Sequence, residues 1–351
     1  MHAWEDHLSR RDRRRRVLPF SWGLEWLSLA DVSGGEQALR TLLAWADRAL
    51  GHSDELFAVS PGGPFRREGR SVLFPTPLPS GYPANDTARC RVWGSLSPGG
   101  EERRAVIVVP QWNADSGSHV GLCRLLARLG MTAVRLTPPY HEERKVDGLE
   151  RAEYMVSANV GRTLHAVRQA VLEVRVVADW LQGLGFGRIG IVGTSLGSCV
   201  AYLAFAHEPR LTAGVFNHVA AHFADVVWFG QATRYVRRGL EPFISLSDLR
   251  RCWAVLSPWH YIPRVCHSGR PHTLITAAYD GTFLPELAEA VFARYRDCGC
   301  DPDVRRLPCG HYTTARFPFK YLDGWHIATS LRRNLACPAP RTSSAHLRLG
   351  S

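Results

Sequence analysis

The chain has 351 residues, of which 45% are hydrophobic and 10% aromatic, enough apolar material for a large buried core. Lysine and arginine outnumber the acids by 43 to 32, for a net charge of +11. The basic residues are spread along the chain between acids, which argues against a nucleic-acid partner. No uncharged apolar run reaches the ~18 residues of a transmembrane segment, whereas peripheral contact with anionic lipid stays open.

Residues 1–70 are predicted to form a helical extension to the core. Leu39, Leu42, Leu43 and Ala46 recur at helical spacing. The arginine cluster at 10–16 is interpreted as part of a basic surface helix rather than as a twin-arginine export signal. A glycine, an acid and two tryptophans interrupt the stretch that follows, and no small-residue cleavage site closes it.

From residue 71 to residue 336, short apolar runs alternate with helical patterns. Strands are predicted at 71–74, 90–93, 105–109, 132–136, 188–192, 212–216, 273–277 and 304–307. Helices are predicted at 120–129, 160–181, 196–206, 287–295 and 322–331. This alternation predicts an α/β fold with a mostly parallel, doubly wound sheet of about eight strands.

Two segments depart from the alternation. Residues 220–262 contain eight aromatic side chains and little strand character, so we expect a small lid insertion that places an aromatic cover over the site. Residues 337–351 are small and polar and are predicted to be a disordered tail.

The strongest motif is Gly193-Thr194-Ser195-Leu196-Gly197, which fits G-x-S-x-G between a predicted strand and a predicted helix. A serine on such a tight turn is held above the sheet in a strained backbone conformation. Side chains two residues on either side would collide, which explains Gly193 and Gly197. We predict Ser195 to be a nucleophile.

A nucleophilic serine needs a base and an acid that orients the base. His311 follows the last predicted strand and Asp280 follows the strand before it, so both should reach the carboxyl edge of the sheet. Three residues remain as alternatives: His218 and His222, which could line the pocket, and Asp225, the reserve acid.

An oxyanion formed by attack of the serine needs two backbone donors. The first is expected to be the N–H of Leu196. The second should come from the loop after the 105–109 strand, where Gln111 and Trp112 are equal candidates.

The nine cysteines are odd in number and contain no C-x-x-C pair, which favours free thiols in a reducing, cytoplasmic compartment. No zinc-site spacing is present. We expect no metal and no organic cofactor.

Over residues 103–336 the chain resembles the α/β-hydrolase superfamily, because the elbow, the Asp280 loop and the Gly310-His311 loop occur in that superfamily's order. The resemblance implies an eight-stranded sheet whose first strands precede residue 100. Within the superfamily the chain looks like bacterial esterases, lipases and dienelactone-hydrolase-like proteins. It departs from many members at Pro110-Gln111-Trp112-Asn113, where they carry His-Gly.

The chain is also similar to the group named α/β-hydrolase domain-containing protein 18. The similarity lies in the Pro110–Asn113 loop, in Pro139-Tyr140-His141 with an arginine nearby, and in the length of the N-terminal extension. It implies a lipid-like ester as substrate.

The predicted function is hydrolysis of a small-molecule or lipid-like carboxylic ester through an acyl-enzyme. Two alternatives remain: acyl transfer by the same residues, and a non-catalytic binding protein on the same fold. Arg144, Arg162 and Arg234 are candidates to meet an anionic group of the substrate. The oligomeric state is not predicted.

Overall fold

The computed structural model describes residues 1–11, 15–60, 62–97 and 103–336. The predicted disordered tail at 337–351 and part of the arginine cluster lie outside the described residues. The strands of the described chain are β1 (Arg66–Glu68), β2 (Ser71–Pro75), β3 (Thr87–Trp93), β4 (Arg104–Val109), β5 (Met131–Thr137), β6 (Arg188–Thr194), β7 (Leu211–Asn217), β8 (His272–Ala277) and β9 (Asp303–Leu307).

These strands form a single sheet in the order β1-β2-β3-β5-β4-β6-β7-β8-β9. Pairing is antiparallel from β1 to β5 and parallel from β5 to β9. The predicted α/β class and mostly parallel sheet are therefore confirmed. The ninth strand, β1, was not predicted, because its sequence Arg-Arg-Glu is fully exposed at the sheet edge and carries no apolar signal.

The helices of the described chain are α1 (His2–Arg11), α2 (Gly35–Gly51), α3 (Ser53–Leu56), α4 (Pro83–Asp86), α5 (Val120–Arg128), α6 (Val160–Gly183), α7 (Leu196–His207), α8 (Phe223–Phe229), α9 (Arg234–Leu240), α10 (Leu246–Cys252), α11 (Ile262–Cys266), α12 (Pro285–Asp297) and α13 (Phe319–Asn334). In residues 1–70, predicted to form a helical extension, the described α-helices are α1, α2 and α3, and β1 also lies in this range. Between α1 and α2 the described residues hold one short 3-10 turn, Leu24–Leu27.

The apolar core lies on both faces of the sheet. The larger cluster includes the buried sides of α2, α6, α7 and the 223–266 segment. The smaller cluster, on the other face, joins α5 to α13 through Leu126, Ile327 and Leu331. This two-sided burial explains the continuous apolar runs of the central strands.

Helix α6 is buried on most of its surface, not only along the apolar stripe that its sequence predicts. Its Glu173 forms a fully buried ion pair with Arg144, which also donates to the carbonyl oxygens of Asn85 and Thr137. Arg144 is therefore a structural residue that anchors the loop after β5, and this candidate for contact with an anionic substrate group does not line the cavity.

The expectation of free thiols is wrong for one pair, because Cys266 and Cys300 form a disulfide that joins the end of α11 to the loop after α12. Among the described helices, none combines the length and the apolar composition needed to cross a bilayer.

Candidate active site

Ser195 lies on the turn between β6 and α7 with φ 57° and ψ −122°, a backbone conformation that costs a non-glycine residue about 1–3 kcal/mol. The two flanking glycines make this turn possible. A Cβ on Gly193 would lie 2.0 Å from the carbonyl oxygen of Gly197, and a Cβ on Gly197 would lie 2.2 Å from that of Val109. Because backbone atoms approach both positions this closely, a side chain has no room at either, which explains why both residues are glycine.

The loops after β8 and β9 bring Asp280 and His311 to the serine. The Oγ of Ser195 lies 3.2 Å from Nε2 of His311, and Nδ1 of His311 lies 3.1 Å from Oδ2 of Asp280. With Nδ1–H donating to the carboxylate, Nε2 is left to accept the serine proton. The three residues predicted from separate parts of the sequence therefore meet in one hydrogen-bonded chain.

The Asp280 carboxylate is buried and held from both sides. Its Oδ1 accepts the backbone N–H groups of Thr282 at 2.8 Å and Phe283 at 2.7 Å. Burial alone would raise the pKa of Asp280, but the neighbouring His311 and His218 outweigh it and hold this pKa below its usual range. The carboxylate is consequently ionised at neutral pH.

His218, which the sequence suggests as a pocket residue, lines the cavity and also contacts Asp280. Its Nδ1 lies 2.6 Å from Oδ2 of Asp280, so one carboxylate oxygen serves two imidazoles. The atoms of His218, Asp280 and His311 that could ligate a metal ion lie within 4.8 Å of one another. Each of these residues is already engaged in the hydrogen bonds described above. Like Asp280 and His311, His218 lies just beyond the carboxyl end of a parallel strand, which was the signal for its position.

Asp225 and His222 take no part in this hydrogen-bonded chain. Asp225 is bound by Arg250 through bonds of 2.6 and 3.0 Å, so its carboxylate is committed elsewhere. The ring of His222 packs near Trp259, with centroids 5.3 Å apart. Neither residue therefore replaces Asp280 or His311.

The loop after β4 is held by contacts from the 139–152 region. The backbone N–H of Asn113 donates to Nε2 of His141 at 2.8 Å, and Nε1–H of Trp112 donates to the carbonyl of Ala152 at 2.9 Å. Burial lowers the pKa of His141 to about 4, so the ring is neutral and able to accept. Within the described chain, the backbone N–H groups of Gln111 and Trp112 have no protein acceptor.

The loop that carries His311 is held by the N-terminal helix. Glu5 of α1 is 2% exposed, and its two carboxylate oxygens accept the backbone N–H groups of Tyr312 at 2.9 Å and Thr313 at 2.7 Å. Gly310 packs so closely on Glu5 that a Cβ there would lie 2.3 Å from the Glu5 Cδ. Sequence reasoning missed Glu5, because an acid in an amphipathic helix normally faces solvent.

Ser195 and His311 open into a cavity of about 1160 Å³. Its apolar wall includes Leu122, Leu125, Val156, Phe223, Val226 and Phe283. Of the eight aromatic residues at 220–262, only Phe223 lines it. The expected aromatic cover is therefore largely wrong, and Trp253 and Tyr261 are buried in the core instead.

Charged residues occupy part of the cavity wall. Arg11, Arg15, Arg151, Arg316 and Lys320 line it, and among the described residues Asp323 is the one acid that does. Arg162 and Arg234, the other two candidates to meet an anionic group, do not line the cavity. The Arg162 guanidinium lies over the Tyr154 ring at 3.6 Å.

Two further polar groups border the elbow. Nε2 of His119 lies 3.0 Å from Oγ1 of Thr194, and burial lowers the pKa of His119 to about 4. Asp323 accepts from Nδ2 of Asn217 at 3.0 and 3.1 Å, and burial raises the pKa of Asp323 to about 6. Asn217 in turn accepts the Ser195 backbone N–H through its carbonyl, at 2.8 Å.

Comparisons with known proteins agree with this architecture. The family described as "Alpha/beta hydrolase domain containing 18" matches residues 121–234, less than half of the chain. An acylaminoacyl peptidase from Pyrococcus horikoshii superimposes with a TM-score of 0.57 at 15% identity, over 78% of this chain and 42% of that one. This chain thus spans less than half of the peptidase. No curated protein matches the sequence.

An acetyl xylan esterase from Thermoanaerobacterium superimposes with a TM-score of 0.57 at 15% identity, over 82% of this chain and 93% of that one. At these identities the superpositions establish the fold. The parallel sheet and the serine elbow at its carboxyl edge define an α/β-hydrolase-fold protein. The chain therefore has the α/β-hydrolase fold, which its sequence motifs predict.

Proposed function

We propose that the protein hydrolyses a carboxylic ester through an acyl-enzyme on Ser195. The observation that carries this proposal is the continuous hydrogen-bonded chain from Ser195 Oγ to His311 and on to Asp280, with distances of 3.2 and 3.1 Å. An ionised, buried carboxylate at its end stabilises the imidazolium that forms when His311 takes the serine proton.

In the first half of the reaction, Ser195 Oγ attacks the ester carbonyl carbon while His311 takes the hydroxyl proton. His311 then gives that proton to the departing alcohol oxygen, which leaves the acyl group on Ser195. In the second half, His311 takes a proton from water, the resulting hydroxide attacks the acyl carbon, and the proton returns to Ser195.

The negative charge of each tetrahedral intermediate needs two fixed donors. We assign the first to the backbone N–H of Leu196, the first residue of α7, where helix N–H groups lack acceptors one turn back. The second is the backbone N–H of Gln111 or Trp112. Their lack of a protein acceptor and the support that His141 gives to this loop favour that role.

The proposed substrate is a lipid-like ester. A cavity of about 1160 Å³ with apolar walls suits a long acyl group better than an acetyl group. The cations on the same wall favour an ester that carries negative charge elsewhere in the molecule. Residues 1–70 and 220–262 are proposed to act as an extension and a lid that cover the cavity, since Leu8, Phe223 and Val226 line it.

The test combines covalent labelling with hydrolysis of esters graded by acyl length. A fluorophosphonate should label the wild type at Ser195 and should not label Ser195→Ala. His311→Gln should lower the hydrolysis rate by roughly 10⁴-fold or more, because the serine loses its base. His218→Gln, the matched change on the second imidazole, should cause a much smaller loss.

Three outcomes would contradict the proposal: no labelling of folded wild type, equal activity of Ser195→Ala, or a larger loss in His218→Gln than in His311→Gln. Product analysis with a competing alcohol in the same assay separates hydrolysis from acyl transfer, since only transfer gives the new ester as the main product.

A further inference from the structure

A row of exposed apolar side chains lies at the start of α13. Phe317 is 73% exposed, Tyr321 is 64% exposed and Trp325 is 63% exposed. Tyr321 and Trp325 are four residues apart in α13 and share one face with Leu322, which is also exposed, whereas Phe317 lies two residues before the helix begins. We call these four residues the aromatic ridge. Their exposure is notable because the opposite face of α13 is buried against the core.

The ridge is a continuous surface rather than a set of scattered side chains. The rings of Phe317 and Tyr321 pack with centroids 6.2 Å apart. Nearby, the ring of Trp4 in α1, itself 40% exposed, lies 6.3 Å from that of Phe319 at the start of α13. A contiguous exposed patch of this kind marks an interaction surface, since isolated exposed side chains would need no explanation.

The charges beside the ridge indicate what it binds. Arg316 and Lys320 are exposed and alternate with the aromatic residues, and the Lys320 ammonium lies 4.9 Å from the Tyr321 ring centre. The one acid between residues 313 and 325 is Asp323, so the two cations leave an excess of positive charge in this segment. Aromatic rings interleaved with cations are typical of surfaces that enter the headgroup region of an anionic bilayer.

A second copy of this chain fits the ridge less well. Each copy would bring the same cations to the contact, within a chain whose net charge is +11. An anionic lipid surface instead complements Arg316 and Lys320 and accepts the aromatic rings at its interface.

The ridge is also continuous with the candidate active site. Arg316, Lys320 and Tyr321 line the same cavity as Ser195 and His311. A bilayer that contacts the ridge would therefore lie against this part of the cavity wall, and a lipid could reach the serine without crossing water.

We propose that the aromatic ridge docks the protein on an anionic lipid surface, with Phe317 and Trp325 inserted among the headgroups and the cavity turned toward the bilayer. This inference deepens the proposed function by naming the surface from which the ester is taken. The inference rests on the proposed function only for the reason why the protein docks, because docking itself requires no catalysis.

The test measures co-sedimentation with vesicles of phosphatidylcholine mixed with phosphatidylglycerol, and with vesicles of phosphatidylcholine alone. The wild type and Ser195→Ala should both bind the anionic vesicles, and added salt should weaken this binding. The double variant Phe317→Ser, Trp325→Ser should bind about tenfold or more weakly, because two large apolar groups no longer leave water. Arg316→Ala and Lys320→Ala should each lower binding roughly fivefold.

The matched control is the double variant Phe229→Ser, Phe243→Ser, which removes two aromatic side chains that are 46% and 59% exposed and lie outside the ridge. It should bind like the wild type. Equal binding by the ridge variant, or no wild-type binding to anionic vesicles, would overturn the proposal. A third result would also overturn the proposal: the wild type dimerises without lipid, and the ridge variant does not. A second copy of the chain would then be the occupant of the ridge.

Activity separates this inference from the proposed function. Phe317 and Trp325 do not line the cavity, so their double variant should hydrolyse a water-soluble short-chain ester at the wild-type kcat/KM. Its hydrolysis of an ester embedded in anionic vesicles should fall together with binding. If the wild type binds vesicles but cleaves no ester, the proposed function fails and the docking surface stands.

Discussion

The serine side and the histidine side of the candidate site are built in different ways. The serine turn consists of five consecutive residues at the junction of β6 and α7. Its two glycines lie close to backbone atoms of the same turn and of the end of β4. His311 instead depends on Asp280, 31 positions earlier, and its loop depends on Glu5, whose bond to Tyr312 spans 307 positions.

This difference teaches which parts of the site are robust. The serine conformation follows from steric limits on a short peptide packed against the neighbouring strands of the sheet, so it forms once β4, β6, β7 and α7 are in place. The position of His311 requires α1 to dock correctly and to present a carboxylate to two amides. A change in α1 should therefore alter catalysis without touching any reacting group.

The largest effect is expected from Gly197→Ala. The added Cβ would lie within 3 Å of backbone atoms of Val109 and Pro110, so β4 or α7 must shift. Overpacking of this kind typically costs about 1–3 kcal/mol, and more where only backbone can yield. We expect loss of measurable ester hydrolysis and a lower free energy of unfolding in urea.

Gly183→Ala is the control for that change, because a Cβ at the end of α6 meets nothing within 4 Å. It should leave both activity and stability near wild type. Full activity in Gly197→Ala would show that the close approach at the elbow is not required.

A smaller effect is expected from Glu5→Gln. The amide offers one acceptor where the carboxylate offers two, so Tyr312 or Thr313 loses its partner and the His311 loop is less well held. Misplacement of a base by about 1 Å can lower the rate by up to ~100-fold. We expect kcat to fall between roughly tenfold and 100-fold, with KM for a soluble ester unchanged because Glu5 does not line the cavity.

Asp6→Asn is the matched control, since Asp6 lies on the same helix and accepts from Gln231 rather than from the His311 loop. It should keep the wild-type kcat. If both variants lose kcat equally, α1 acts as a general support and the two bonds made by Glu5 carry no special role. Thermal unfolding of both variants separates loss of fold from loss of position.

The same contrast explains how far the sequence could predict the structure. The elements that form the sheet and the elbow have local signals, and their order along the chain brings Ser195, Asp280 and His311 to one edge. The sequence gives no signal that Arg144 pairs with Glu173, or that Glu5 binds Thr313. A charged residue in a sequence gives no indication that it will be buried.

Composition was similarly ambiguous in the 220–262 segment. Its aromatic content predicted a cover over the site, whereas Trp253 packs in the core and donates from Nε1 to the carbonyl of Val160. Apolar content alone says that a side chain will be buried, and it does not say whether against the core or over a cavity.

The smallest effect is expected from Asp323→Asn, which removes a long-range partner of the serine side. Burial raises the pKa of Asp323 from its usual value of 3.8 to about 6, so protonated Asp323 favours the folded state. That contribution is complete below about pH 4 and is lost as pH rises through about 6. The variant is neutral at every pH, and its Tm relative to wild type should therefore rise between about pH 4 and pH 7.

The exposed acid variant Asp301→Asn is the control, and its Tm difference from wild type should stay flat over the same range. Hydrolysis of a soluble ester by Asp323→Asn should change little, because Asp323 binds the side chain of Asn217, whereas the Ser195 N–H donates to the Asn217 backbone carbonyl. A Tm difference that is flat for Asp323→Asn as well would mean that this carboxyl is ionised without cost in the fold. A large loss of kcat would instead place Asp323 among the groups that hold Ser195, and the serine side would then be no more local than the histidine side.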